Sequence, residues 1–439
     1  MKTKSKKITK RILSIILCFT LIMAYIPLIS VPVSAKTLSV PLGYTALNIE
    51  GELTNDGYSL ATLTINQNGN YYVYGTRTCK DAKILVKGGV TANIILDDVN
   101  LSVRESVQQA GMIIESGADV TLLLAGENYI EGGICSAGIS VPDGATLTIT
   151  SFDGDSKTTG SLTAVAKGSY LSGYGGAGIG ANGLTIYERT NGKRETVGNI
   201  IINGGTISAR GGVDAAGIGG TGESTTGSVT INGGNVTANI YNPGDGISGA
   251  AAIGGGLGGC LESITITGGT VYAGQTNGAA AIGGGWYGQI DGSEANYGGI
   301  TITGGNITAV GYSGNTAKGA DAIGKGGVYN EEASTVSGSV VITGGNIFTE
   351  NGITSPQNDK NENLRIKDIY VMGLDKDEEV TKILLSDGEE YGADDVFTID
   401  KRIYVVIPEN VEVESIVIGE VTYLFIGNDS FCAHNGNKT

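Results

Sequence analysis

Short apolar strands alternate with glycine pairs along most of this chain. The strings Ile200-Ile201-Ile202-Asn203-Gly204-Gly205, Val229-Thr230-Ile231-Asn232-Gly233-Gly234 and Ile264-Thr265-Ile266-Thr267-Gly268-Gly269 share one template. It returns as Ile300-Thr301-Ile302-Thr303-Gly304-Gly305 and as Val340-Val341-Ile342-Thr343-Gly344-Gly345, at spacings of 29, 35, 36 and 40 residues. Period-2 alternation puts Ile264 and Ile266 on one face of a strand and Thr265 and Thr267 on the other. A second short strand follows each glycine pair, as in Thr206-Ile207-Ser208-Ala209, Asn235-Val236-Thr237-Ala238, Thr270-Val271-Tyr272-Ala273 and Asn306-Ile307-Thr308-Ala309. A third element closes the unit: Ala216-Gly217-Ile218-Gly219, Ala252-Ile253-Gly254-Gly255, Ala281-Ile282-Gly283-Gly284 and Ala322-Ile323-Gly324.

One such strand cannot bury its apolar face, but units stacked about 4.8 Å apart bury continuous Ile, Val and Ala columns. Glycine suits the corners because positive φ is open to it. The expected fold is all-β: a right-handed parallel β-helix, a solenoid of three short strands per coil, followed by a small β module. The less regular strings Ile94-Ile95-Leu96, Leu122-Leu123-Leu124 and Leu147-Thr148-Ile149 extend the plan toward the N-terminus. Roughly eight or nine coils would make a rod on the order of 40 Å long. Residues 36–75 are expected to cap the stack, 76–354 to form it, and the acidic stretch 355–439 to form the C-terminal module, with 355–363 as a polar junction.

Composition refines this picture. Lys2, Lys4, Lys6, Lys7, Lys10 and Arg11 precede a long apolar run ending in Val33-Ser34-Ala35, which reads as a cleaved export signal over 1–35. The localisation this implies is secreted, extracellular or cell-surface associated, with no membrane span once the signal is cleaved. The 44 acidic against 28 basic residues, net −16, disfavour nucleic acid and anionic membrane as partners. Cys79, Cys135, Cys260 and Cys432 follow no metal or redox spacing and read as buried or incidental thiols. The single histidine, His434, removes triad and multi-histidine zinc chemistry.

The Ile-Thr-Ile-Thr-Gly-Gly, Asn-Ile-Thr-Ala and Ala-Ala-Ile-Gly-Gly-Gly strings resemble the β-helical repeats of secreted and cell-surface proteins from Firmicutes. Tyr71-Tyr72-Val73-Tyr74-Gly75, Ile95-Leu96-Asp97-Asp98-Val99 and Leu122-Leu123-Leu124-Ala125-Gly126 are similar to the start of the clostridial carbohydrate-binding β-helix family. The resemblance spans about residues 47–352. It implies a polysaccharide or cell-wall glycan as partner, an association with acidic plant polysaccharides, and calcium as cofactor.

Aromatic rings with polar tips suit the apolar face and hydroxyl rim of a sugar. Tyr272, Trp286, Tyr287, Tyr297, Tyr312 and Tyr329 gather on neighbouring units and are the candidate carbohydrate-binding residues. Asp97, Asp98, Asp153 and Asp155 are the candidate calcium ligands, since a hard cation wants several converging oxygens. Turn formation is the simpler role for such aspartates. A polysaccharide-degrading enzyme, lyase or glycosidase, is the alternative function, with Asp214 beside Arg210 and Asp321 beside Lys325 as its carboxylates. Three coils between the two aspartates amount to about 14 Å, beyond the roughly 5–9 Å of a glycosidase pair. Outward Thr-x-Thr pairs also suggest an ice-binding lattice, but Ile201, Asn203 and Val341 interrupt it. The favoured expectation is a non-catalytic carbohydrate-binding or adhesive protein.

Overall fold

A computed structural model describes residues 40–49, 60–75, 78–152, 160–167, 173–241, 249–274, 276, 278–286, 296–311, 320–327, 337–371, 378–399, 401–427 and 429–433. The expected export signal lies outside them. The protein is all-β, and parallel sheets dominate from Thr45 to Thr349.

The repeat strings pair with one another in the register their alignment predicts. In the first ladder Ile200 faces Val229, Val229 faces Ile264, Ile264 faces Ile300, and Ile300 faces Val340. In the second, Ile207, Val236, Val271, Ile307 and Ile347 follow one another. In the third, Ile218, Ile253, Ile282 and Ile323 do the same within a nine-stranded sheet. All these side chains are at most 2 % exposed and belong to one core cluster extending from Ile49 to Val406. Each contributes about 1.5–3 kcal/mol by leaving water. The parallel pairing begins earlier than the expected cap boundary. Thr45–Asn48 already pairs with Gly69–Tyr74, and Ala61–Ile65 with Ala82–Val86. It also continues past 354, because Gln357 bridges Val341.

Close stacking in the third ladder depends on one glycine column. Gly219, Gly254 and Gly283 have φ of 130°, 134° and 135°. A Cβ on any of them would meet the carbonyl oxygen of the next glycine in the column at 2.1–2.2 Å. No side chain fits there.

A buried asparagine ties strands of the first and second ladders. Asn128 is 3 % exposed; its carbonyl accepts the Val99 N–H, and its amide donates to Leu96, Ala125 and Ser161 carbonyls. Among the described residues the stack also carries a short α-helix, Ile186–Thr190, that the strand pattern did not foretell. None of its residues is buried; a Thr185–Glu188 capping box and surrounding ion pairs hold it.

The last sheet has eight strands between Leu364 and Ala433, antiparallel except where Leu364–Val371 meets Ser430–Ala433. Its own core includes Ile369, Ile383, Ile403, Ile416 and Phe431. It joins the parallel stack through Phe348, which stacks on Phe397 at 5.3 Å and meets the edge of Tyr404 at 5.1 Å. Leu364 and Val406 enter the core of the stack itself. Residues from Gly43 onward form one compact unit. No helix among the described residues is long and apolar enough to cross a membrane.

Candidate functional site: a polar groove along the glycine corner

From Gly204 onward the turn between the first and second strands recurs as a glycine pair. Its second glycine has positive φ throughout: 86° at Gly234, 86° at Gly269, 95° at Gly305 and 101° at Gly345. The corner therefore carries no side chain of its own, and the residues on either side become the walls of a groove. Asn232, Asn235, Thr270, Thr303, Asn306 and Asn346 line it over four successive rungs, enclosing about 570 Å³.

Both walls are hydrogen-bonded from rung to rung. Asn232 donates to Asn203 at 2.8 Å, and Thr267 donates to Asn232 at 2.8 Å. Across the corner, Asn346 donates to Asn306 at 2.8 Å. The backbone N–H groups of Asn235, Thr270 and Asn306 are spent on the preceding glycine carbonyls, at 2.8 Å each. What faces the groove is thus a set of amide and hydroxyl groups already oriented by their neighbours.

One end is closed by the antiparallel sheet. Asp394 and Asp395, in the 3-10 turn Ala393–Asp395, line the groove beside Gly345 and Asn346. A second cavity of about 510 Å³ shares Gly345 and Asp395 with the first and is strongly acidic, with Asp359, Glu362, Asp387, Glu389 and Glu390 around Tyr391. The Tyr391 hydroxyl is pushed up to about 12, by burial first and then by Glu389, Asp395 and Asp387. None of the residues lining the four-rung groove is Lys or Arg.

The sequence candidates fall elsewhere. Tyr272 is exposed at 37 %, on the second ladder, but its ring lies back along the strand over Gly274, away from the glycine corner. Trp286 must be withdrawn as a sugar-stacking residue. It is 5 % exposed and packs against Ala279 and Leu257, in space left open by Gly249. Its ring therefore presents no face to solvent. Tyr287, Tyr312 and Tyr329 lie outside the described residues, as does the side chain of Tyr297.

Asp97 and Asp98 are described, and both carboxylates take part in local hydrogen bonding. The Tyr72 hydroxyl donates to Asp97, Asp98 accepts the Glu127 N–H at 3.0 Å, and the backbone of Gly126 is pressed close against both carboxylates. Calcium takes six to eight oxygens, and no group of three His, Cys, Asp or Glu side chains among the described residues is placed to hold a metal. Asp153 and Asp155 lie outside the described residues. Cys79 and Cys135 are buried and Cys260 is partly exposed.

A second concentration of charge surrounds the short helix. Glu223, whose side chain is 5 % exposed, accepts from Tyr174 at 2.7 Å and pairs with Arg189 at 3.1 Å and Arg194 at 2.7 Å. The Arg189 guanidinium also sits 4.4 Å from the Tyr174 ring centre. Nearby Asp214 is 8 % exposed, accepts the Gly249 N–H at 3.1 Å, and has its carboxyl raised to about 6 by burial, against the lowering pull of Gly249 and Arg189. Asp321 is half-buried: Thr354 donates to it at 2.6 Å and Lys325 lies 3.8 Å away.

Comparison with known proteins finds no family model, no curated protein and no solved structure that matches this chain. Function must therefore be argued from the groove and its surroundings.

Proposed function

We propose that this chain is a non-catalytic carbohydrate-binding protein, secreted or held at a cell surface. On this reading its three parallel ladders are the walls of a right-handed parallel β-helix with three short strands per coil. Residues from about 355 form a module that caps the rod and closes one end of the groove. The in-register succession of three strand types at 29–40-residue intervals supports the coil reading.

The observation that carries the binding claim is the groove itself. Sugars are recognised by convergent, pre-oriented amide and hydroxyl groups in an open cleft. Here Asn232, Asn235, Thr270, Thr303, Asn306 and Asn346 supply them over four rungs. The partner is a polysaccharide or cell-wall glycan, lying along the corner and spanning several coils. No step of this reading runs through a metal.

Retention in affinity gels cast with soluble glycans tests it. The double variant Asn232→Ala/Asn306→Ala removes two hydrogen-bonding side chains, each worth about 0.5–1.5 kcal/mol, and should weaken retention by roughly tenfold. Unchanged mobility of the wild-type protein on every glycan would sink the proposal.

Polysaccharide cleavage is the second reading, favoured by one feature. Asp214 is a buried carboxyl whose ionisation is held near neutrality, close to Tyr174 and Arg189, and such groups cluster at active sites. Release of reducing or unsaturated ends that disappears in Asp214→Asn would establish it over simple binding.

A further inference from the structure

The groove repeats at the strand spacing, and it is polar without being cationic. These two facts narrow the ligand beyond "a glycan". We propose that the groove takes a neutral, unbranched, extended β-linked glycan, one sugar residue per rung. This inference rests on the binding reading of the same groove.

The argument from spacing is geometric. Adjacent parallel strands stand about 4.8 Å apart, so equivalent wall groups on Asn235, Thr270 and Asn306 recur at that interval. An extended β-linked pyranose chain advances by close to the same distance per residue. Successive sugars of a β-1,4 chain turn over, so their ring planes stay aligned with the floor and the same edge meets a given wall at every second rung. A helically coiled α-linked chain changes its facing direction from residue to residue and meets the walls once per turn. The floor favours a flat chain as well, because the glycine pairs put no side chain on it and their backbone is half-buried at Gly268, Gly269, Gly304 and Gly305.

The argument from charge concerns the ends and walls. The four-rung lining offers amides, hydroxyls and two carboxylates, Asp394 and Asp395. The adjoining cavity adds five more acidic side chains, against Lys360 alone. A uronate or sulfated chain laid along this path would run toward like charge with no fixed cation along the four rungs to compensate. The effect is screened over about 10 Å at 0.1 M salt, which makes it measurable. This departs from the acidic polysaccharides that the family resemblance implies.

Titration calorimetry of the whole protein decides it. The ligands are β-1,4-linked gluco-oligosaccharides of two to six residues, β-1,4-linked glucuronate oligomers of equal length, and α-1,4-linked gluco-oligosaccharides. The expected result is affinity that rises with each β-linked residue up to four and then levels off, matching the four rungs. The β-linked glucuronate oligomers should bind about tenfold more weakly than the neutral series at low salt. Asp394→Asn/Asp395→Asn should narrow that gap, and so should 0.5 M NaCl. Equal or stronger binding of the uronates, or of the α-linked series, overturns the inference while leaving the groove intact, provided Asn306→Ala still weakens binding. If no oligosaccharide binds the wild-type protein, both the inference and the reading beneath it fall.

Discussion

Replacing Gly254 with alanine tests the physical basis of the stack at one atom. Gly254 has φ of +134°, a region nearly closed to residues with a Cβ, and occupying it costs about 1–3 kcal/mol. The new methyl group would also sit 2.1 Å from the carbonyl oxygen of Gly283 on the next rung. Backbone cannot rotate away as a side chain would, so the rungs must part. Parting them strains the Gly255 N–H to Gly283 carbonyl bond, now 2.9 Å, worth about 0.5–1.5 kcal/mol. It also loosens the contact of Ile253 with Ile282, both fully buried. The first two terms amount to about 1.5–4.5 kcal/mol, and the loosened core contact adds to them, placing the loss at or above the upper end of the usual 0.5–3 kcal/mol of a point substitution. Gly388→Ala is the matched control: its φ is +87°, but nothing lies within 4 Å of the added methyl, so only the conformational cost of about 1–2 kcal/mol applies. Urea unfolding followed by far-UV circular dichroism gives both values, with equal m confirming that one transition is compared. If Gly254→Ala lies within about 1 kcal/mol of Gly388→Ala, the close approach is not what sets the rung spacing, and the reasoning fails.

Three further changes have distinct expected outcomes. Asn128→Ala strands the Val99 N–H and three carbonyls in the interior, and should lower stability by about 3 kcal/mol or more in the same urea assay. Asp214 has its folded-state ionisation raised to about 6, above about 3.9 in the unfolded chain. The folded state thus holds the proton more tightly, and stability declines as pH rises from about 4 to about 6. Asp214→Asn keeps an acceptor for Gly249 and should flatten that decline, leaving the variant about 1–3 kcal/mol more stable than wild type at pH 7 and no more stable below pH 4; thermal melts across this range check it. Trp286→Ala should cost about 3–5 kcal/mol as a core truncation while the folded protein keeps its glycan retention, the reverse of what a surface stacking residue would do.

The ladders could be read from the chain because each repeat states its own register. Aligning Ile264-Thr265-Ile266 with Ile300-Thr301-Ile302 by their glycine pairs gives the pairing the structure has. The short helix Ile186–Thr190 was not legible, because nothing in it is buried and therefore no apolar period marks it. Its order comes from Glu188, Arg189 and Lys193 finding partners at Gln108, Glu223 and Glu195, the first 80 residues away in sequence. Trp286 misled for a related reason. An aromatic beside a Gly-rich string reads as a loop residue, yet the room it fills is made by Gly249 on a neighbouring rung. The Asn and Thr residues flanking the glycine pairs were visible in the repeat strings, but nothing in the alternation set them apart from other outward positions.

What turns those asparagines into a site is the same constraint that builds the fold. Along each strand the inward positions are committed to the Ile, Val and Ala columns, and the backbone to the neighbouring rungs. The outward positions along the middle of the strands remain free, but there a flat surface offers a ligand contact from one side only. At the glycine corner the chain changes direction without a side chain, so the residues before and after the pair flank a side-chain-free floor from two sides. Asn232 and Asn235, three positions apart, illustrate this: each joins a ladder of like groups above and below, and both border the same groove. The end wall completes it. Asp394 and Asp395 come from a different sheet, some 50 residues after the last glycine pair, and no repeat could announce them. A binding surface of this kind is a by-product of stacking until something closes it. The antiparallel sheet, held in place by Phe348 against Phe397 and Tyr404, is therefore the element that makes the corner a bounded groove.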